Sequence, residues 1–221
     1  MPTIAIVGAG PGLGLSIAKV FGGHGFDVAL ISRNQHKLDG LAKELSAAGV
    51  DAAGFAADTS DHAQLTEALE AASARFGRID VLEFSPHGGL AMVAPEEVTV
   101  ENLAPQVEGV LYGAVTAVRA VLPAMLEAGA GTLLFTTGGG AITPYPQLAT
   151  MNTAQAGLRN WVHNLHNTLS EKGVHAATVA INVMIAEQGP EGIPYRAPDD
   201  IASAYWDLHT LRDRAEHLVS A

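Results

Sequence analysis

Short, nearly unbroken apolar runs alternate along this chain with longer stretches rich in Ala and Leu. The runs Thr3–Val7, Asp27–Ile31, Ala52–Ala56, Ile79–Phe84, Thr132–Thr136 and His175–Ile181 have strand length and little polar alternation. Strands apolar on both sides need cover on both faces. The stretches near 12–24, 35–48, 61–76, 101–128 and 151–171 are long enough for helices. Asp61, with Gln64 three residues on, reads as a helix cap. Gly25, Gly49, Gly77, Gly129, Gly131 and Gly173 stand where helices should stop. His217–Ser220 is a candidate short seventh strand. The rhythm predicts an α/β fold, a single doubly wound parallel sheet with helices on both faces, as one domain over residues 1–221. In such sheets ligands sit at the carboxyl ends of the strands, so chemistry is sought beyond Val7, Ile31, Ala56, Phe84, Thr136 and Ile181.

Beyond Val7 runs Gly8-Ala9-Gly10-Pro11-Gly12-Leu13-Gly14. Leu13 breaks a G-x-G-x-x-G reading, and the spacing that fits is G-x₃-G-x-G on Gly8, Gly12 and Gly14. Gly8 would allow the turn out of the strand, Gly12 the approach of backbone N–H groups to a pyrophosphate, and Gly14 close packing of helix on sheet. A loop without a ligand is the plainer alternative, but glycines set directly between first strand and first helix point to a nucleotide. The second strand ends Leu30-Ile31-Ser32-Arg33-Asn34, with no acidic residue for a ribose 2′-hydroxyl. Arg33 offers a fork to a 2′-phosphate and Ser32 a hydroxyl donor, so NADP(H) is favoured over NAD. The candidate coenzyme contacts are Gly8, Gly10, Pro11, Gly12, Leu13 and Gly14, then Ser32, Arg33 and Asn34, then Asp58 and Thr59, with Ser85 and Gln155. Asp58 would accept from an adenine amino group, or serve only its own turn.

Composition narrows the partners. The 221 residues carry 23 acidic and 12 Lys or Arg side chains, a net charge of −11. That surface repels phosphate backbones, so nucleic acid and anionic membrane are poor partners. Cys is absent, which excludes a thiolate nucleophile, a disulfide framework and a Cys-based zinc site. No metal is expected. The start Met1-Pro2-Thr3 has no basic segment and Ile4–Val7 is too short for a signal or membrane helix, so a cytoplasmic location is expected.

With the G-x₃-G-x-G turn, the stretches Ala57-Asp58-Thr59-Ser60, Arg75-Phe76-Gly77-Arg78-Ile79-Asp80-Val81-Leu82, Ala120-Val121-Leu122-Pro123-Ala124-Met125, Gly131-Thr132-Leu133-Leu134 and Gly173-Val174 make the chain resemble the short-chain dehydrogenase/reductase family over roughly residues 3–205. The resemblance implies a Rossmann-like sheet of about seven strands, a nicotinamide coenzyme and a small-molecule substrate. It also implies a homodimer or homotetramer formed through the helices near 101–128 and 151–171. The family's chemistry implies four functional groups: a Tyr acid, a Lys four residues later, a Ser and an Asn. Registered on this chain, those positions are Met151, Gln155, Gly138 and Val110. None carries the family's group, and no Tyr-x₃-Lys occurs anywhere. A Tyr/Lys acid is worth roughly 10²–10⁴ in rate.

Other side chains are candidates to stand in. Thr137 neighbours the Ser position, though a strand-end hydroxyl bonded to backbone is the plainer reading. Tyr145, before the fifth helix, is a displaced acid or a pocket wall. Glu83 is an acid inside an apolar strand, costly to bury without partners. His87 is a proton donor near neutral pH or a solvent-facing loop residue. Glu187–Arg196 is the expected substrate lid. Two functions are carried forward: an NADP(H)-dependent reductase of an activated C=N or C=C (or carbonyl) without Tyr/Lys, and a catalytically inactive NADP(H)-binding sensor or partner subunit.

Overall fold

A computed structural model of the chain describes residues 1–87 and 89–220. The strands are β1 (Thr3–Val7), β2 (Asp27–Ser32), β3 (Ala52–Ala56), β4 (Ile79–Phe84), β5 (Gly131–Gly138), β6 (Val174–Ile181), β7 (Met184–Ile185), β8 (Tyr195–Arg196) and β9 (Glu216–Val219). The α-helices are α1 (Leu13–Gly23), α2 (Gln35–Ala47), α3 (His62–Phe76), α4 (Val100–Gln106), α5 (Gly113–Ala128), α6 (Ala149–Leu169) and α7 (Pro198–Leu211). Seven strands form one parallel sheet in the order β3-β2-β1-β4-β5-β6-β9. The short β7 and β8 pair separately, at either end of the expected lid.

Strand alternation sends the apolar side chains of the sheet to two cores. Ile4, Ile6, Val28 and Leu30 pack under α1, α2 and α7 with Phe21, Leu38 and Leu208. Ala5, Val7, Leu82 and Phe135 pack under α3, α5 and α6 with Leu69, Val121 and Leu158. Every residue of β1 and of β6 is buried, which is why neither run alternates in polarity. Each fully buried Leu, Ile or Phe adds roughly 1.5–3 kcal/mol.

Local signals set most of the ends. The Asp61 carboxylate accepts from the Gln64 N–H at 3.1 Å, and the Gln64 amide returns to it at 2.8 Å. Gly25, Gly49, Gly77, Gly129 and Gly173 have positive φ after their helices. Gly131 does not end a helix: it opens β5, where a Cβ would lie 2.5 Å from the Met125 sulfur. The helix expected over 101–128 differs more. Between α4 and α5 the six residues Val107–Tyr112 wind as a π-helix. Pro105 has no N–H to give, and Gly109 and Gly113 lie against the loop after β3. A Cβ on Gly109 would be 3.2 Å from the Ser60 hydroxyl, and one on Gly113 2.8 Å from the Thr59 carbonyl. The wide turns let the helix sit on that loop. By length and composition the whole Val100–Ala128 helix could cross a membrane. Here Ala114, Ala117, Val118, Val121 and Met125 are spent on the sheet, and Val100 and Leu126 remain exposed.

Toward the amino ends of the strands a buried histidine lies beside two half-buried ones. His175 on β6 is 3% exposed, its Nε2 has no partner among the described residues, and His166 meets it edge-on at 5.5 Å. His209 Nδ1 lies 2.9 Å from the Thr132 hydroxyl, which also accepts from Arg212. Burial first, then the neighbouring His166 and Arg212, pushes His175 down to about 4. Burial and Arg212 bring His209 to about 4 as well. Both values lie below the unfolded value near 6.5. Their stabilisation is therefore complete above pH ~6.5 and lost as pH falls toward 4. Thermal unfolding should show a loss between pH 7 and pH 5 that His175→Phe reduces by about 1 kcal/mol. An identical pH slope in the variant would refute this account.

Candidate functional site

Strand order reverses between β1 and β4, whose crossover helices leave to opposite sides and uncover a crevice at their carboxyl ends. The crevice holds about 520 Å³. Its floor is the turn after β1. Gly8 has φ +98°, and its N–H donates to the Ile31 carbonyl at 2.8 Å. A Cβ there would lie 2.5 Å from the Ser85 carbonyl oxygen. Gly14 is also closely packed, though less so, with Ala9 Cα 3.1 Å from where its Cβ would be. Gly12, by contrast, has no atom within 4 Å of that position, and Gly10 only one, at 4.0 Å. The turn is thus tight against protein at its two ends and open in the middle.

The start of α1 has no side-chain cap and no acidic residue in its first turn. Leu15 and Ser16 donate back to Gly10 and Gly12. The amides before them remain for a ligand, at the positive end of the helix. A diphosphate suits this cradle.

The second wall comes from the end of β2. Ser32, Arg33 and Asn34 line the crevice. Among the described residues the Arg33 guanidinium makes no hydrogen bond or ion pair. Asn34 caps α2, its side chain accepting from the Lys37 N–H at 3.0 Å. Lys37 itself lines the crevice and was not among the sequence candidates. It lies one helical turn beyond Arg33, a spacing that was readable. Asp58 and Thr59 form the third wall, and Asp58 accepts from the Ser60 N–H at 2.9 Å, an Asx turn. Gln106, Gly109 and Val110 close the far side.

The residues registered on the family's catalytic positions lie around the end of β5 and the start of α6. Gly138 N–H donates to Gln155 Oε1 at 2.9 Å. With its oxygen turned to the Gly138 N–H, the Gln155 amide presents its N–H groups on the other side. Met151 is buried. Val110 falls within the π-helical segment. Thr137 is 2% exposed and its hydroxyl has no partner among the described residues. Tyr145 is half-exposed, and its carbonyl accepts from Asn152 Nδ2 at 2.7 Å. His87 lines the crevice, exposed, with Nδ1 accepting from the Gly89 N–H at 3.2 Å. Of the sequence candidates, Gly12, Leu13, Gly14, Ser85, Gln155, Thr137, Tyr145 and Glu83 are not among the residues that line it.

Glu83 is wholly buried and partnered. Its Oε2 is 2.9 Å from the Ser85 hydroxyl and its Oε1 2.8 Å from the Thr136 hydroxyl. Thr136 in turn lies 2.5 Å from the Tyr205 hydroxyl of α7. Burial pushes Glu83 up to about 8, against the lowering effect of the Thr136 and Ser85 hydrogen bonds. Burial, reinforced by Glu83, also raises Tyr205. Tyr205 was missed as a partner because it is far away in sequence, although it lies on the apolar stripe Ile201-Tyr205-Leu208.

The turn itself predicts two different outcomes. Gly8→Ala combines a positive φ with a backbone clash and should destabilise the fold by about 2 kcal/mol or more. Gly10→Ala makes only an ordinary contact with the Gly8 carbonyl at 4.0 Å and should stay within about 0.5 kcal/mol of the parent. Denaturant midpoints that fall equally for both would contradict this geometry.

Comparison with known proteins agrees with the fold. A family model described as short chain dehydrogenase matches residues 2–188. D-threitol dehydrogenase from Mycolicibacterium smegmatis is 29% identical over 215 residues, covering 90% of this chain and 82% of that protein. Inactive hydroxysteroid dehydrogenase-like protein 1 from Mus musculus is 27% identical over 221 residues, covering 97% of this chain and 64% of that one. A metagenomic short-chain oxidoreductase solved in complex with NADP superposes with a TM-score of 0.86 at 25% identity, over 99% of this chain and 96% of the other. With seven parallel strands in this order and a family match over most of its length, the chain belongs to the short-chain dehydrogenase family.

Proposed function

We propose that the chain binds NADP(H) and reduces a small molecule whose C=N or C=C bond (or carbonyl) is already activated. The observation that carries the coenzyme reading is the pairing of an open glycine turn at an uncapped helix start with the Arg33 and Lys37 side chains, unpartnered among the described residues, across the same crevice. Gly10 and Gly12 leave room for a diphosphate against the α1 amides. Arg33, with Lys37 beside it, offers a fork and a point charge to a 2′-phosphate, and no carboxylate at the end of β2 competes. Asp58 keeps its second oxygen for an adenine amino group. NADP bound to the metagenomic relative supports the same assignment.

A bound NADPH would supply hydride to an electrophile. The chain's own part is to hold, orient and exclude water. Met151 offers no proton, and the Gln155 amide, fixed by Gly138, offers N–H donors without charge. Donors of that kind can orient a ribose hydroxyl or polarise an acceptor, but they do not deliver a proton at neutral pH. A simple ketone would need that proton; an iminium or conjugated enone needs less. The second reading, an NADP(H)-binding subunit without turnover, is favoured by the same uncharged Gln155. The inactive mouse relative supports it too.

The family resemblance further suggests pairing through the long helices, and exposed Val100 and Leu126 leave apolar surface there for a second copy. Light scattering should then read at least twice the 22.8 kDa chain mass, and a monomer would end that assignment.

Arg33→Ala should weaken NADPH roughly 10–100-fold, the loss of a charge-assisted hydrogen bond, and NADH by less than about threefold. Equal losses would remove the phosphate assignment. Nicotinamide absorbance followed with ketones, enones and cyclic imines separates the two functions: consumption with imines or enones supports the reductase, binding without consumption the silent subunit.

A further inference from the structure

Among the buried groups the reduction does not use, Glu83 is the best placed. It sits in register with Ile6 of β1 and Leu134 of β5, on the two strands that flank β4. Neither neighbour is charged. From α7, among the described residues, the titratable side chain that meets its cluster is Tyr205, through Thr136. Ser85, its other partner, follows β4 directly. The Ser85 N–H donates to the Val7 carbonyl at 2.8 Å, and its own carbonyl presses against Gly8. The next residues, Pro86 and His87, line the crevice. The cluster thus joins α7 to the turn that would carry the diphosphate.

Counting protons gives the chain a direction. The Tyr205 hydroxyl is buried and meets only Thr136 among the described residues; because Thr136 gives its own proton to Glu83, Tyr205 is the donor of that pair. Thr136 then donates to Glu83 Oε1. What remains is Glu83 Oε2 facing the Ser85 hydroxyl. If Glu83 is a neutral acid, its proton lies on Oε2 and points at Ser85, whose own proton is released. If Glu83 is a carboxylate, it takes the Ser85 proton for itself, and a negative charge lies buried beside the glycine turn. We propose that Glu83 is a positioning residue for the coenzyme: as a neutral acid it completes a one-way chain Tyr205–Thr136–Glu83–Ser85 that frees the half-buried Ser85 hydroxyl, directly behind the crevice lining at Pro86, as a donor toward a coenzyme seated there, and as a carboxylate it withdraws that donor and opposes the diphosphate.

Burial supports the neutral form at pH 7, since it pushes Glu83 up to about 8. A hydrogen-bonded series polarised in one direction also strengthens each member. The inference rests on the coenzyme reading above and adds a regulated donor to that site.

The test is NADPH titration by fluorescence from pH 7 to pH 9.5, above the ~6 at which a phosphate monoester finishes ionising. Parent affinity should fall about fivefold across that range, the worth of one neutral hydrogen bond. Glu83→Gln, whose amide donates to Ser85 permanently, should keep the pH 7 affinity and lose the decline. Ser85→Ala, at a half-buried loop position, should bind about fivefold more weakly at pH 7. Its decline should be smaller than the parent's, because only the charge effect remains. A parent and Glu83→Gln with the same slope overturn the proposal, as does a Ser85→Ala variant indistinguishable from the parent. No binding by any of them at any pH overturns the coenzyme reading itself, a separate and recognisable result.

Discussion

One backbone contact governs the site. Where β1 and β4 part, the chain after β1 must turn at once and still clear the chain after β4. Gly8 meets both demands with a positive φ and no Cβ, against the Ser85 carbonyl. That close approach brings the start of α1 over the sheet edge and sets Ser85, Pro86 and His87 beside it. The mouth of the crevice is therefore shaped by a main-chain packing requirement. Its chemistry is added afterwards by side chains from four separate strand ends.

Those side chains divide by charge. The half around the ends of β1 and β2 has exposed cations and an uncapped helix start, suited to phosphate. The half around β5 and α6 has uncharged groups tied to one another, Gln155 to Gly138 and Asn152 to the Tyr145 carbonyl. Even the acid at the end of β4 is held where its neutral form is favoured. A site so arranged is strong in binding and orienting and weak in proton delivery. Under the proposed reduction, that asymmetry would suit electrophiles that bring their own activation.

The fold was legible because its central strands are buried on both faces and leave no polar alternation to misread. The helix starts were legible where a side chain caps them, as at Asp61, and the stops where glycine takes positive φ. The π-helical segment was not, since it answers to the seating of Gly109 and Gly113 on a loop some fifty residues earlier. The β7–β8 ribbon, two exposed residues a side, carries no periodicity at all. In the site, the glycine turn and Arg33 could be read from position alone. Lys37 needed only a count of one helical turn. The partners of Glu83 and the Gln155–Gly138 bond join distant parts of the chain, and local sequence does not announce them.

The long helix has a mechanical meaning. From Val100 to Ala128 it runs without a break, on the order of 40 Å at 1.5 Å per residue. Val110, part way along, walls the crevice, while Leu126 near the far end faces outward. The loosest winding in the rod lies at Val110 itself. Whatever settles against that wall leans on the same stiff lever that a neighbour would grip at the other end. A guest at Val110 and any neighbour at Leu126 would thus meet one and the same element, with its compliant point at the guest's end.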